Sequence, residues 1–98
     1  MKVVITDKAR QDLFAFGDHI AKSNPLRAFS FMEELEVSCF SLGDFPNSHA
    51  ILRDYPEFGV RRAVHGNYSI FYIVTDAVYV IHIFNSAVDY ERILFPRN

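Results

Sequence analysis

Tryptophan is absent from this 98-residue chain, cysteine occurs once, and glycine and proline occur four times each. Each scarcity excludes something. A lone cysteine, Cys39, rules out an internal disulfide framework and suits a reducing compartment, so a cytoplasmic location is expected. No low-complexity tract, linker or repeat is present, and no Gly-rich loop that could cradle a phosphate. No apolar run approaches the ~20 residues of a membrane span. The N-terminal MKVVITDKAR lacks the apolar core of a signal peptide, so no membrane role is expected. Basic charge is also short: ten Lys and Arg stand against twelve Asp and Glu, a formal net charge of −2. A protein that grips nucleic acid through many phosphates carries a basic excess, so direct nucleic-acid binding is not expected. His19, His49, His65 and His82 show no metal-ligand spacing, and no metal or cofactor is expected.

Aromatic and β-branched residues are abundant. Ten Phe and five Tyr sit in a chain that is half hydrophobic, the composition of a folded globular protein. The length fits one domain over residues 1–98 with a real core. Lys2–Thr6 (KVVIT) reads as a first strand. Thr6 or Asp7 can cap a helix over Asp7–Lys22, in which Ala9, Leu13, Phe16 and Ile20 recur at helical spacing. Ser23-Asn24-Pro25 is a break and a restart, with Asn24 as N-cap and Pro25 at the first helical position. The second helix, Pro25–Leu42, sets Ala28, Met32, Leu35, Cys39 and Leu42 on one stripe, and Gly43 is placed to end it. Phe29 and Phe40 lie off that stripe, beside Glu33 and Glu36. They either widen the core-facing surface or form an exposed aromatic patch for a partner, and Phe14 poses the same choice. Asp44–Phe58 is then a loop of about fifteen residues, long for so small a domain, with room for a short strand near Ala50–Arg53.

The stretch GVRRAVHGNYSIFYIVTDAVYVIHIF, Gly59–Phe84, reads as an antiparallel meander. Its strands are Val60–Val64, Tyr68–Thr75 and Val78–Phe84, joined by turns at Gly66-Asn67 and Asp76-Ala77. Strict alternation through both turns puts Arg61, Ala63, His65, Tyr68, Ile70, Tyr72, Val74, Tyr79, Ile81 and Ile83 on one face. The other face collects Val60, Arg62, Val64, Ser69, Phe71, Ile73, Val80, His82 and Phe84. The first set has the larger apolar centre and is assigned to the helical hairpin. The second is expected to be open, with Arg62 and His82 as its strong polar groups. Those two could hold a phosphate or shuttle a proton, or could be an ordinary surface arginine and a satisfied sheet histidine. Cys39, on a buried stripe, is not expected to be a nucleophile. Ser86 or Asn85 can cap a final segment, Ala87–Leu94, helical or a tail. The fold class is therefore α+β: an N-terminal strand, a helical hairpin on an antiparallel meander, and a short C-terminal helix or tail.

In that order these pieces resemble the ParE/RelE superfamily of bacterial toxin–antitoxin systems, over nearly the whole chain. ITDKARQDLFAFGDHI looks like the family's first strand and its Ala-x-x-Asp-Leu helix, through Ala9, Asp12 and Leu13. GVRRAVHGNYSIFYIV resembles the motif that leads with an arginine and ends in Tyr-x-x-x-Tyr, here Arg61, Tyr68 and Tyr72. VYVIHIFNSAVDY resembles the last strand with its trailing acidic position, Asp89. The resemblance implies a growth-arresting, plasmid-stabilising toxin neutralised by a cognate ParD-like antitoxin. RelE-like members cut mRNA on the ribosome with clustered basic residues, and ParE-like members poison DNA gyrase without that cluster. Ser69 stands where the nucleases commonly have an arginine, Asn85 where a histidine often closes the last strand, and Val88 where an arginine accompanies Asp89. The expectation is accordingly a ParE-like gyrase inhibitor, not an enzyme. The residues expected to bind the target are Arg61, Arg62, His82, Asn85 and Asp89, and an antitoxin partner would account for the surplus of phenylalanines, with Phe14, Phe29, Phe40, Phe71 and Phe84 as the exposed candidates for its apolar docking surface. The alternatives are a ribosome-dependent mRNA endonuclease using Arg62 and His82, and a degenerate toxin that only binds antitoxin.

Overall fold

The computed structural model describes residues 1–86 and 90–95. Strand β1 (Val3–Ile5) leads into helix α1 (Asp7–Ala21), whose N-cap Thr6 accepts the Ala9 N–H through its hydroxyl. Helix α2 (Pro25–Ser41) restarts after Asn24, which accepts the Arg27 N–H at 3.1 Å. Such caps satisfy amide donors that a helix start otherwise leaves orphaned. Strands β2 (Arg61–His65), β3 (Tyr68–Val74) and β4 (Val78–Asn85) follow, and then helix α3 (Tyr90–Leu94). Among the described residues the sheet order is β1-β4-β3-β2. β1 runs parallel to β4, and the rest is the antiparallel meander. The first hairpin turns on Gly66, whose φ of 58° only glycine adopts freely.

The helical hairpin covers one face of this sheet. Its core joins Ala9, Leu13, Phe31, Leu35, Cys39 and Leu42 to Ile5, Ala63, Ile70, Tyr72, Val78, Val80 and Ile83. On α2 the buried stripe includes Phe31, while Met32 is only partly buried and packs at the helix–helix seam. There Gly17 of α1 lets the helices close up, since a Cβ on it would overlap Met32 Sδ. Gly43 also serves close approach. It has no positive φ, contrary to a left-handed helix cap, and a Cβ there would run into the Met1 carbonyl.

Two expectations about the sheet are corrected. A bulge on β4 between the pairs Phe71↔His82 and Tyr72↔Val80 inserts Ile81 as an extra residue. Beyond it the alternation is inverted. Val80 therefore joins the helix-facing core, and Ile81 packs on the opposite side, the reverse of the strict alternation. That opposite side is also not open. Phe71 and Phe84, expected to be exposed, are buried with Val60 and Phe95, and Leu52, Tyr55, Tyr90 and Leu94 pack against them. The cover comes from the 44–58 loop and from α3, with Tyr55 stacked on Phe95 at 4.0 Å and Tyr90 4.8 Å from Phe71. In the loop the expected short strand is a single bridge, Ile51↔Arg61, followed by a 3₁₀ turn at Pro56–Phe58.

Candidate functional site

Arg62 and His82 flank Phe71 in one row across three strands, paired to it from β2 and β4 respectively. Two strand spacings separate their backbones by roughly 10 Å. Neither projects freely. Arg62 Nε donates to Ser69 Oγ at 2.8 Å, and its guanidinium lies over the Tyr90 ring at 5.5 Å. His82 stacks on Phe84 at 4.7 Å, and its Nδ1 lies 3.0 Å from Asp12 Oδ2 on α1. The same Asp12 oxygen accepts the Ile83 N–H at 3.0 Å. Because β1 ends at Ile5, β4 would have an unpaired edge beyond Val80, and Asp12 closes it. Asp12 is thus a clasp between α1 and the sheet, which the helical periodicity alone does not reveal.

The other motif residues are also structural. Arg61 donates to the His49 carbonyl. Tyr72 donates to the Pro46 carbonyl at 3.1 Å and sits 3.2 Å from His49 Nδ1. Together they pin the 46–49 segment to the sheet. Burial raises the Tyr72 phenol above its ordinary range, with Arg61 opposing, so it stays a neutral donor. Tyr68 wedges between Phe16 and Phe31, each ring 4.9 Å away. Arg61 and Arg62, adjacent on a strand, face opposite sides. Asn85 pairs with Tyr68 at the far end of the meander and is half-buried. Asp89 lies outside the described residues. Of the four expected target-binding residues that are described, Arg62 and His82 share the row that flanks Phe71, Arg61 faces the other side of the sheet, and Asn85 lies at the far end of β4. Cys39 is fully buried, and that burial, with nearby Glu36, pushes its thiol up to about 12. It stays protonated and inert.

The surface that does stand free is on α2. Leu26 and Phe29 are 86% and 75% exposed, and Val37 and Phe40 are also exposed. At 100° per residue these four fall within an arc of about 80°, with Glu33 at its centre. The arc lies opposite the buried stripe of Phe31, Leu35 and Cys39, so α2 is apolar on both sides. Phe14 on α1 is exposed as well, as is Phe45 in the loop. Phe14, Phe29 and Phe40 are thus outside the core. Leu26 and Val37 escape a search for aromatic residues, although their spacing with Phe29 and Phe40 is legible.

A model of the ParE toxin of type II toxin–antitoxin systems (parDE) matches residues 3–90. The chain belongs to this ParE toxin family. Its fold is similar to a chain in the structure of the chromosomal ParDE system of P. aeruginosa, at 22% identity and a TM-score of 0.75. That match covers 87% of this chain and 95% of the other. A second similar structure is the RelBE2 toxin–antitoxin complex of Mycobacterium tuberculosis, at 24% identity and a TM-score of 0.62, covering 89% of this chain and 92% of that one. Comparison with curated proteins finds no significant match. No helix among the described residues of this ParE-family chain is long and apolar enough to cross a membrane.

Proposed function

We propose that this type II toxin acts without catalysis, by binding DNA gyrase and holding it on DNA, and that a cognate antitoxin neutralises it. The observation that carries this reading is the filled sheet face. Metal-free RNA cleavage needs a general acid and base and cations converging on one phosphate. Here the two candidates sit on either side of buried Phe71, beneath Tyr90, with Arg62 held by Ser69 and His82 by Asp12. No shared reacting centre lies between them among the described residues. The toxin–antitoxin complexes with the same fold support the antitoxin as partner. The apolar arc of Leu26, Phe29, Val37 and Phe40 is the surface an antitoxin would bury. Each phenylalanine covered contributes roughly 1.5–3 kcal/mol, so a few suffice for a tight complex.

The test is expression without antitoxin. Growth arrest should come with trapped gyrase–DNA cleavage complexes and intact messages, and Arg62→Ala should leave the arrest unchanged. Ribosome-associated message cleavage that Arg62→Ala or His82→Ala abolishes would establish the endonuclease instead. Absence of arrest altogether would mark a toxin reduced to binding antitoxin.

A further inference from the structure

The exposed arc of α2 has a symmetry of its own. Leu26 and Phe29 precede Glu33 by seven and four residues, and Val37 and Phe40 follow it by four and seven. Read backwards, the arc gives the same apolar positions about the same glutamate. Such a helix face matches its own reversed copy: Leu26 comes opposite Phe40, Phe29 opposite Val37, and Glu33 opposite Glu33. That is the self-complementarity an isologous two-fold contact needs. Each opposed apolar pair also sets a phenylalanine against a smaller aliphatic side chain, which lets facing ridges interdigitate. A parallel pairing would instead press each phenylalanine onto its own copy.

Charge and area agree with the reversed arrangement. On one edge of the arc Arg27 donates to Ser30 at 3.1 Å and is paired with Glu34. Reversal about Glu33 turns this edge toward itself, directing the Arg27 of each copy at the Glu34 of the other. Parallel pairing would turn it toward the opposite edge and bring Glu34 alongside Glu36, which Arg10 of α1 holds at 3.6 Å. Glu33 has no ionic partner among the described residues. From their exposures, the four apolar residues offer roughly 500 Å² on each copy, about 1,000 Å² for the pair. That is the threshold of a specific interface and the size of a weak one.

We infer that, free of antitoxin, two copies of this chain pair through α2, antiparallel about a two-fold axis at Glu33. The two Glu33 carboxylates meet on that axis. They weaken the pair and fix its register, as a lone polar residue does in a coiled-coil seam. The pairing goes beyond the antitoxin reading but uses the same arc, so an antitoxin seated there displaces the second copy.

The experiment uses the full chain made by cell-free synthesis, with no antitoxin present. Sedimentation should show a monomer–dimer equilibrium between roughly 1 and 200 µM. Phe29→Asp should weaken the dimer at least tenfold, and Glu33→Leu should tighten it at least tenfold. Both positions are exposed, so unchanged melting separates these effects from folding. Single cysteines then read the register, because Cys39 is fully buried and stays out of the oxidation. Glu33→Cys should link to itself across the axis. Leu26→Cys should not link to itself, but should link to Phe40→Cys when the two variants are mixed. A chain that stays monomeric at the highest concentration overturns the inference and leaves the antitoxin reading intact. So does a dimer in which Leu26→Cys links to itself or Glu33→Cys does not, since its seam lies elsewhere.

Discussion

Asp12 belongs to the Ala-x-x-Asp-Leu pattern of the first helix, and its geometry predicts a structural role. The perturbation is Asp12→Ala. The carboxylate accepts the Ile83 N–H and engages His82, each at 3.0 Å, where β4 has lost its β1 neighbour. A hydrogen bond to a charged group contributes about 1.5–3 kcal/mol, and a partly buried donor left without a partner adds its desolvation cost. The total loss for Asp12→Ala is about 3 kcal/mol. Asp12→Asn keeps one acceptor oxygen for Ile83 and should cost about 1 kcal/mol. In a domain of this size about 1 kcal/mol moves Tm by roughly 4–8 °C, so the alanine variant should melt roughly 12–24 °C lower. Urea unfolding gives the free energy, and hydrogen exchange at Ile83 shows whether the loss is local to the β4 edge. An Asp12→Ala protein as stable as wild type within about 0.5 kcal/mol, yet non-toxic, would refute the clasp and make Asp12 a contact for the target.

Other outcomes follow from burial. Phe71→Ala removes a fully buried ring and should cost about 3–5 kcal/mol, whereas Phe29→Ala should leave stability within about 0.5 kcal/mol and weaken antitoxin binding. Equal stability effects would overturn the corrected assignment of the two faces. Cys39 should resist alkylation in the folded protein at pH 8, where about one thiol in ten thousand is ionised, and react fully in denaturant. Folding raises this thiol's pKa, so its contribution to stability is intact below the ordinary thiol range and is lost as pH rises toward about 12. Cys39→Ala should accordingly lose less stability than wild type between roughly pH 9 and 11. Gly43→Ala forces a methyl against the Met1 backbone and should cost about 1–3 kcal/mol, read from its urea midpoint.

The local structure is largely legible in the sequence because its signals are local. Thr6 and Asn24 cap where a short polar residue precedes a periodic run, and Gly66 turns where positive φ is needed. What escapes depends on long-range packing or on patterns that carry no information. From Ile70 to Val74 and from Ala77 to Ile81 every residue is hydrophobic, so alternation cannot disclose that β4 holds one extra residue at Ile81. The cover over Phe71 is built from Tyr55, Tyr90 and Phe95, which are spread along the chain and unremarkable singly. Arg62 and His82 do share one face, but nothing in their neighbours along the chain announces Asp12, which lies 70 residues from His82.

The central claim is that this toxin binds its target instead of cutting RNA. Purified protein added to DNA gyrase and relaxed plasmid should inhibit supercoiling and accumulate cleaved DNA. Arg62→Ala and His82→Ala should do the same if they fold, and added antitoxin should reverse the effect. Undiminished supercoiling, with message cut on translating ribosomes by the same preparation, would contradict the claim.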